Sequence, residues 1–225
     1  MLPSETPSES PALRADAEKN RRRLLTAARE VFAEHGLDVT LDDIARHAGL
    51  GVGTAYRRFP NKRVLIDELL VEQLTTMRDI ARAQLDAQDP IAGIRGYVQE
   101  VVALQVADRS LKQVMFASDR GQKRVEEARA GLGPAVTALV DRAHDARLLR
   151  DDVLASDVAM ITLMLSVVVD FGRGYEPELY RRYLEWLIAG ILRDGPATGQ
   201  PPIAMECFHS AMLTFKMGAA PKPQR

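Results

Sequence analysis

The sequence predicts an all-α fold: a three-helix N-terminal head built on a helix-turn-helix, followed by a larger helical body, with about nine helices in total. Two observations carry that expectation. Aromatic residues make up only 5% of the 225 positions while Ala, Leu, Arg, Asp and Glu dominate, a balance that favours helix over strand. The 46% of hydrophobic residues also recur at helical spacing between cap and turn signals.

Residues 1–13, rich in Ser, Pro and Glu, read as a disordered tail. Asp16 is the expected cap of the first helix, whose apolar positions Leu24, Leu25, Ala28, Val31 and Phe32 share one face, and Gly36 stops it after His35. Thr40 followed three residues later by Asp43 is a near relative of the capping box and starts a short second helix, about Leu41 to Ala48. Gly49 supplies the left-handed turn that ends it. A third helix runs through TAYRRF to Pro60, and Asn61 caps a much longer fourth. Breaks at 88–90, 108–110, 117–121, 131–134, 149–156, 172–177 and 194–196 leave room for about five more helices. The expected organisation is therefore a tail (1–13), a three-helix head (14–65), a helical body (66–195) and a C-terminal tail (196–225). In that last tail Ile203, Met205, Phe208, Met212, Phe215 and Met217 suit a short docked amphipathic helix.

Charge and cysteine usage narrow the function classes. Residues 14–63 carry 11 Lys/Arg against 7 Asp/Glu, whereas the rest of the chain carries 19 against 24. A basic module on an acidic body points to a polyanion as partner of the first part only. The single cysteine, Cys207, has no internal disulfide partner, and the N-terminus has no apolar run of signal-peptide type, so a cytoplasmic location is expected. The longest apolar stretch, residues 158–169, is about half a membrane span and suits a buried helix, with no membrane as partner. His35, His47, His144 and His209 lack metal-ligand spacing, and no Walker loop, nucleophile elbow or dinucleotide fingerprint is present. "GLGVG" follows a helix, the wrong context for a dinucleotide loop. No enzyme activity, cofactor or metal is expected.

The second and third helices, joined through a glycine corner, make a helix-turn-helix with Ala45 facing the partner helix and Ile44, Leu50 and Val52 sealing the corner. Gly51 and Gly53 raise a question, because glycine weakens a helix by roughly 1 kcal/mol relative to alanine. Two readings stand side by side: the glycines shape the turn, or they let the backbone approach DNA where a side chain would intervene. Thr54, Tyr56, Arg57 and Arg58 then offer hydroxyl and cationic contacts. Arg21 is a further candidate for the flanking backbone, while its neighbours Arg22 and Arg23 point elsewhere around the first helix.

Residues 21–70, with the patterns "AA..VF...G...T", "IA..AG" and "GTAYRRFPNK", resemble the DNA-binding domain of the TetR family of transcriptional regulators. The resemblance implies phosphate or base-edge contacts from Thr40, Gly53, Thr54, Tyr56, Arg57, Arg58 and Lys62, with Lys62 holding a phosphate. Gly51 stands where the family often has Ser or Thr, and Ala55 where it usually has a larger apolar residue. The resemblance further implies a body that binds a small molecule and dimerises through its last two long helices, here about Ser156–Asp170 and Pro177–Asp194. The apolar band on the latter makes Tyr183, Trp186, Leu187 and Ile191 the candidate interface. Tyr97, Val101, Gln105, Met115, Phe116, Met164 and Asp170 are candidate liners of the ligand pocket. The implied function is a ligand-responsive repressor, a homodimer on a palindromic double-stranded DNA operator, released by a partly hydrophobic effector. The alternatives are a structural or ligand-insensitive DNA-binding protein and a helical enzyme.

Overall fold

The computed structural model describes residues 11–108, 110, 114–115, 123–195, 199–205, 207–208 and 211. Among them eight helices carry the chain, no strand is present, and the one extended pairing is an isolated bridge between Leu149 and Leu192. The chain divides between Ile66 and Asp67 into two compact units.

The first unit holds α1 (Pro11–His35), α2 (Leu41–His47), α3 (Val52–Arg58) and the start of α4 (Lys62–Gln84). Helix α1 begins ahead of Asp16, so that aspartate is an exposed residue of the helix body and not its cap. Proline suits the first turn of a helix, where its missing N–H has no partner to lose. Of the expected tail, residues 1–10 lie outside the described residues. Gly36 (φ 75°) ends α1, its N–H donating to the Phe32 carbonyl at 3.0 Å. The capping box forms in full: the Asp43 N–H donates to Thr40 Oγ1 at 3.2 Å and the Thr40 N–H to Asp43 Oδ2 at 2.9 Å. Gly49 (φ 63°) makes the left-handed turn after α2. Helix α3 starts at Val52, two residues before TAYRRF, because the Gly51 carbonyl already accepts from Thr54 (2.8 Å) and Ala55 (3.2 Å). Asn61 caps α4 by accepting from the Val64 N–H at 3.0 Å. Leu24, Phe32, Ile44, Ala45 and Ala55 are fully buried and form the centre of this unit.

The second unit comprises the remainder of α4, α5 (Pro90–Ala107), α6 (Lys123–Asp145), α7 (Ala155–Gly172) and α8 (Leu179–Ile191). The break expected at 131–134 is absent, and α6 runs through Gly131, Gly133 and Pro134. A mid-helix proline forfeits one backbone hydrogen bond. Burial of Val125, Ala135, Val136, Leu139, Val140 and Ala143 along one face offsets that loss. Helix α7 packs on α5, α6 and α8, burying Val158, Ile161, Leu165 and Val169. By length and composition it could cross a membrane, but half of it is buried in the protein. The C-terminal segment reaches this core. Ser156 Oγ donates to the Ile203 carbonyl at 2.6 Å, Phe208 is buried, and Met205 packs alongside. Met212, Phe215 and Met217 lie outside the described residues.

Candidate nucleic-acid interface and ligand cavity

The short α3 has one buried side chain, Ala55, which anchors it against its own unit. Its small size lets the helix sit close, and the opposite face is left open: Gly51, Gly53, Tyr56, Arg57 and Arg58 are exposed and Thr54 is half-buried. Neither Gly51 nor Gly53 has a positive φ. A Cβ added at Gly53 would meet nothing within 4 Å, and one at Gly51 would meet only Thr54 Oγ1 at 4.0 Å. The turn therefore needs Gly49 alone, and nothing inside the fold requires glycine at 51 or 53.

The polar groups on this face are preset by local contacts. Arg57 donates to Thr54 Oγ1 at 3.1 Å. Hydrogen bonding to Asp42, and then the charge of that carboxylate, push the Tyr56 phenol pKa up. Arg58 lies 3.9 Å from a Glu18 carboxylate oxygen, and the same carboxylate meets Arg21 at 3.4 Å and Arg22 at 3.5 Å. Arg21 is thus half-buried against α1 itself, while Arg23 caps the turn after α2 by donating to the Ala48 carbonyl at 2.7 Å. Thr40 is exposed but its hydroxyl is engaged with Asp43. Those hydrogen bonds, first from the Thr40 side chain and then from its backbone, hold the Asp43 carboxyl below the usual range. Lys62 donates to the carbonyls of Leu37 (2.6 Å) and Val39 (2.9 Å), which leaves one of its three N–H donors for another partner.

A cavity of about 120 Å³ lies within the second unit. Tyr97, Gln105 and Met115 line it, together with Leu70, Gln73, Leu74, Met77, Arg129, Leu132, Val136, Thr162, Ser166, Met205 and Phe208. The other expected liners fall elsewhere. Val101 is sealed in the core, Met164 faces outward on α7, and Asp170 is exposed and pairs with Arg173 at 3.3 Å. Phe116 lies outside the described residues. Sequence reasoning missed Gln73 and Arg129, each a polar residue in helical register with apolar neighbours, Leu70 and Met77 for the first and Val125 and Leu132 for the second. That interruption of an apolar stripe is the signal that points to them.

Outside the cavity, α7 and α8 expose Met164, Val167, Phe171, Tyr183 and Trp186, with Tyr175 between the helices almost fully exposed. Tyr183 and Trp186 pack edge to face with ring centres 5.4 Å apart. Leu187 and Ile191 turn inward and pack against the core. Among the described residues no group of three His, Cys, Asp or Glu could hold a metal ion.

Residues 24–69 match the family model described as bacterial regulatory proteins, tetR family. The chain is 33% identical over 104 residues to the HTH-type transcriptional regulator SrpR of Pseudomonas putida, a match that covers 46% of each protein. The chain thus spans about half the length of that relative. A TetR transcription regulatory protein of Mycobacterium vanbaalenii has a crystal structure that aligns with 80% of this chain and 99% of its own, at 28% identity and a TM-score of 0.57. The complex of SmeT with triclosan, SmeT being the repressor of a Stenotrophomonas maltophilia multidrug efflux pump, shares the fold at 22% identity and a TM-score of 0.57, covering 83% of this chain and 99% of SmeT.

Proposed function

With a tetR-family DNA-binding head in residues 24–69 as the premise, we propose that this DNA-binding transcriptional regulator is a homodimeric repressor in the cytoplasm, released from a palindromic operator by a small molecule in its body cavity. The observation that carries the DNA half is the open face of α3, where glycines without internal reason stand beside Thr54, Tyr56, Arg57 and Arg58. There the backbone approaches the duplex at Gly51 and Gly53, Thr54 and Arg58 reach base edges, and Tyr56, Arg57 and Thr40 contact phosphates. Arg21 acts through Glu18, which it shares with Arg58.

The cavity supports the effector half of the reading, and SmeT, a protein of the same fold, binds triclosan. Helix α4 is the covalent route, since it supplies Lys62 to the head and Leu70, Gln73 and Met77 to the cavity wall. The effector must bind the released conformation better than the DNA-bound one; a coupling of about 1–3 kcal/mol changes operator affinity about 5- to 150-fold. The exposed apolar face of α7 and α8 supports the dimer.

Selection of bound sequences from a random DNA pool tests the proposal. The expected result is a palindrome whose half-sites stand about one helical turn apart, roughly 34–36 Å, or somewhat more for splayed heads. Recovery of unselected sequence would favour a structural DNA-binding protein instead. Mobility shift on the selected site with candidate effectors then tests release.

A further inference from the structure

We propose that the body cavity takes an amphipathic monoanion, with an apolar tail and a carboxylate-like head, and that Arg129 holds the head. The inference rests on the cavity being the effector site. It adds a chemical class and a named anchor.

Arg129 is the one charged side chain among the described residues that line the cavity. Its side chain is 14% exposed and meets the carboxylate of half-exposed Glu126 at 3.8 Å, beyond hydrogen-bonding distance. Among the described residues its guanidinium donates no hydrogen bond, although its planar fork carries five donors. Burial lowers its pKa, and the attraction of Glu126 and then Asp67 does not offset that desolvation. Neither acid is among the described residues that line the cavity, so Arg129 is the charge that a ligand there would meet.

Two further polar groups line the same cavity. Tyr97 is buried on the cavity wall and its hydroxyl has no hydrogen-bond partner among the described residues. Gln73 is 5% exposed, and its Oε1 is buried without a partner. An amide can turn to present its N–H groups, since the two ends are nearly the same shape. The rest of the wall is apolar, with Leu70, Met77, Leu132 and Val136 suited to a hydrocarbon tail. A neutral apolar ligand would leave the guanidinium buried and without hydrogen bonds, whereas a carboxylate supplies two acceptors in the matching geometry.

The experiment is calorimetric titration of the full chain with octanoate, octanol and octylammonium at neutral pH. Octanoate should bind at least about ten-fold more tightly than octanol, and octylammonium more weakly than either. Arg129→Gln should remove the preference for octanoate while octanol affinity stays unchanged. Thermal unfolding reports whether that variant folds; if it does not, Arg129→Lys, which keeps the charge without the fork, should lose several-fold of the preference. Octanol binding as tightly as octanoate, octylammonium binding best, or a preference that survives in Arg129→Gln would each overturn the anion inference and leave the effector site standing. Should none of the three bind, the effector site itself falls and the inference with it. Val136→Trp, which fills the cavity, should abolish binding of octanol and octanoate alike; retention would place both outside the cavity and overturn the inference.

Discussion

The ammonium of Lys62 donates to the Leu37 carbonyl at 2.6 Å, tying the first residue of α4 to the loop between α1 and α2. With the second bond to Val39, this lysine is a structural clasp before it is a DNA contact. Lys62→Ala should therefore destabilise the head by about 1.5 kcal/mol or more, because two carbonyls lose a charged donor. If the remaining N–H also holds a phosphate, the salt slope of operator binding falls by about 0.9. Thermal unfolding and a salt titration of DNA affinity read the two roles separately. An unchanged melting temperature would remove the clasp, and an unchanged slope would remove the phosphate.

Gly53 gives a test in which stability and affinity move in opposite directions. The site is helical and open, so Gly53→Ala should stabilise α3 by up to about 1 kcal/mol. Operator affinity should fall all the same, and fall further in Gly53→Leu, because the side chain stands between backbone and duplex. Fluorescence anisotropy beside thermal unfolding measures both. Wild-type affinity in the leucine variant would mean that DNA does not approach this backbone.

The dimer surface separates from the core at neighbouring positions of α8. Trp186 is 57% exposed and Phe171 on α7 79% exposed, so Trp186→Glu or Phe171→Glu should yield a folded monomer in sedimentation velocity and weaken operator binding. Leu187→Glu and Ile191→Glu should instead lower the melting temperature, since those side chains pack against the core. Dimers that survive both surface substitutions would move the interface elsewhere.

Asp43 predicts how the head responds to acid. Its folded-state pKa lies below the ordinary aspartate value, held down by Thr40 first and by Arg46 to a smaller degree. A depressed carboxyl contributes stability above its unfolded pKa, about 3.9, and that contribution is lost as pH falls through the lower folded value. Asp43→Asn should flatten the decline of thermal stability in that window and reduce stability at neutral pH. A parallel pair of stability–pH curves would show that the carboxylate does not matter to the cap.

Short-range chemistry was legible in the sequence of the head. Thr40 with Asp43, Gly36, Gly49 and Asn61 each mark a helix end, because a cap is made by residues three or four positions apart whatever the rest of the chain does. Asp16 misled for the same reason: its side chain suits a cap, but α1 had already begun at Pro11. Gly131 and Pro134 misled in the other direction, since burial of one face of α6 overrode two unfavourable local preferences.

By itself, the sequence determined the all-helical class, the helix-turn-helix and the exposed residues of α3, since helical period and capping depend on neighbours along the chain. Only the tertiary structure decided which polar groups are left over when the helices pack. It engaged Lys62 with Leu37 and Val39, brought Arg58 to Glu18, turned Leu187 inward and Trp186 outward, and gathered Arg129, Tyr97 and Gln73 around one cavity. The contacts of Lys62, of Arg58 with Glu18 and around the cavity join residues far apart in the chain, and period and propensity carry no information about which helix face meets which.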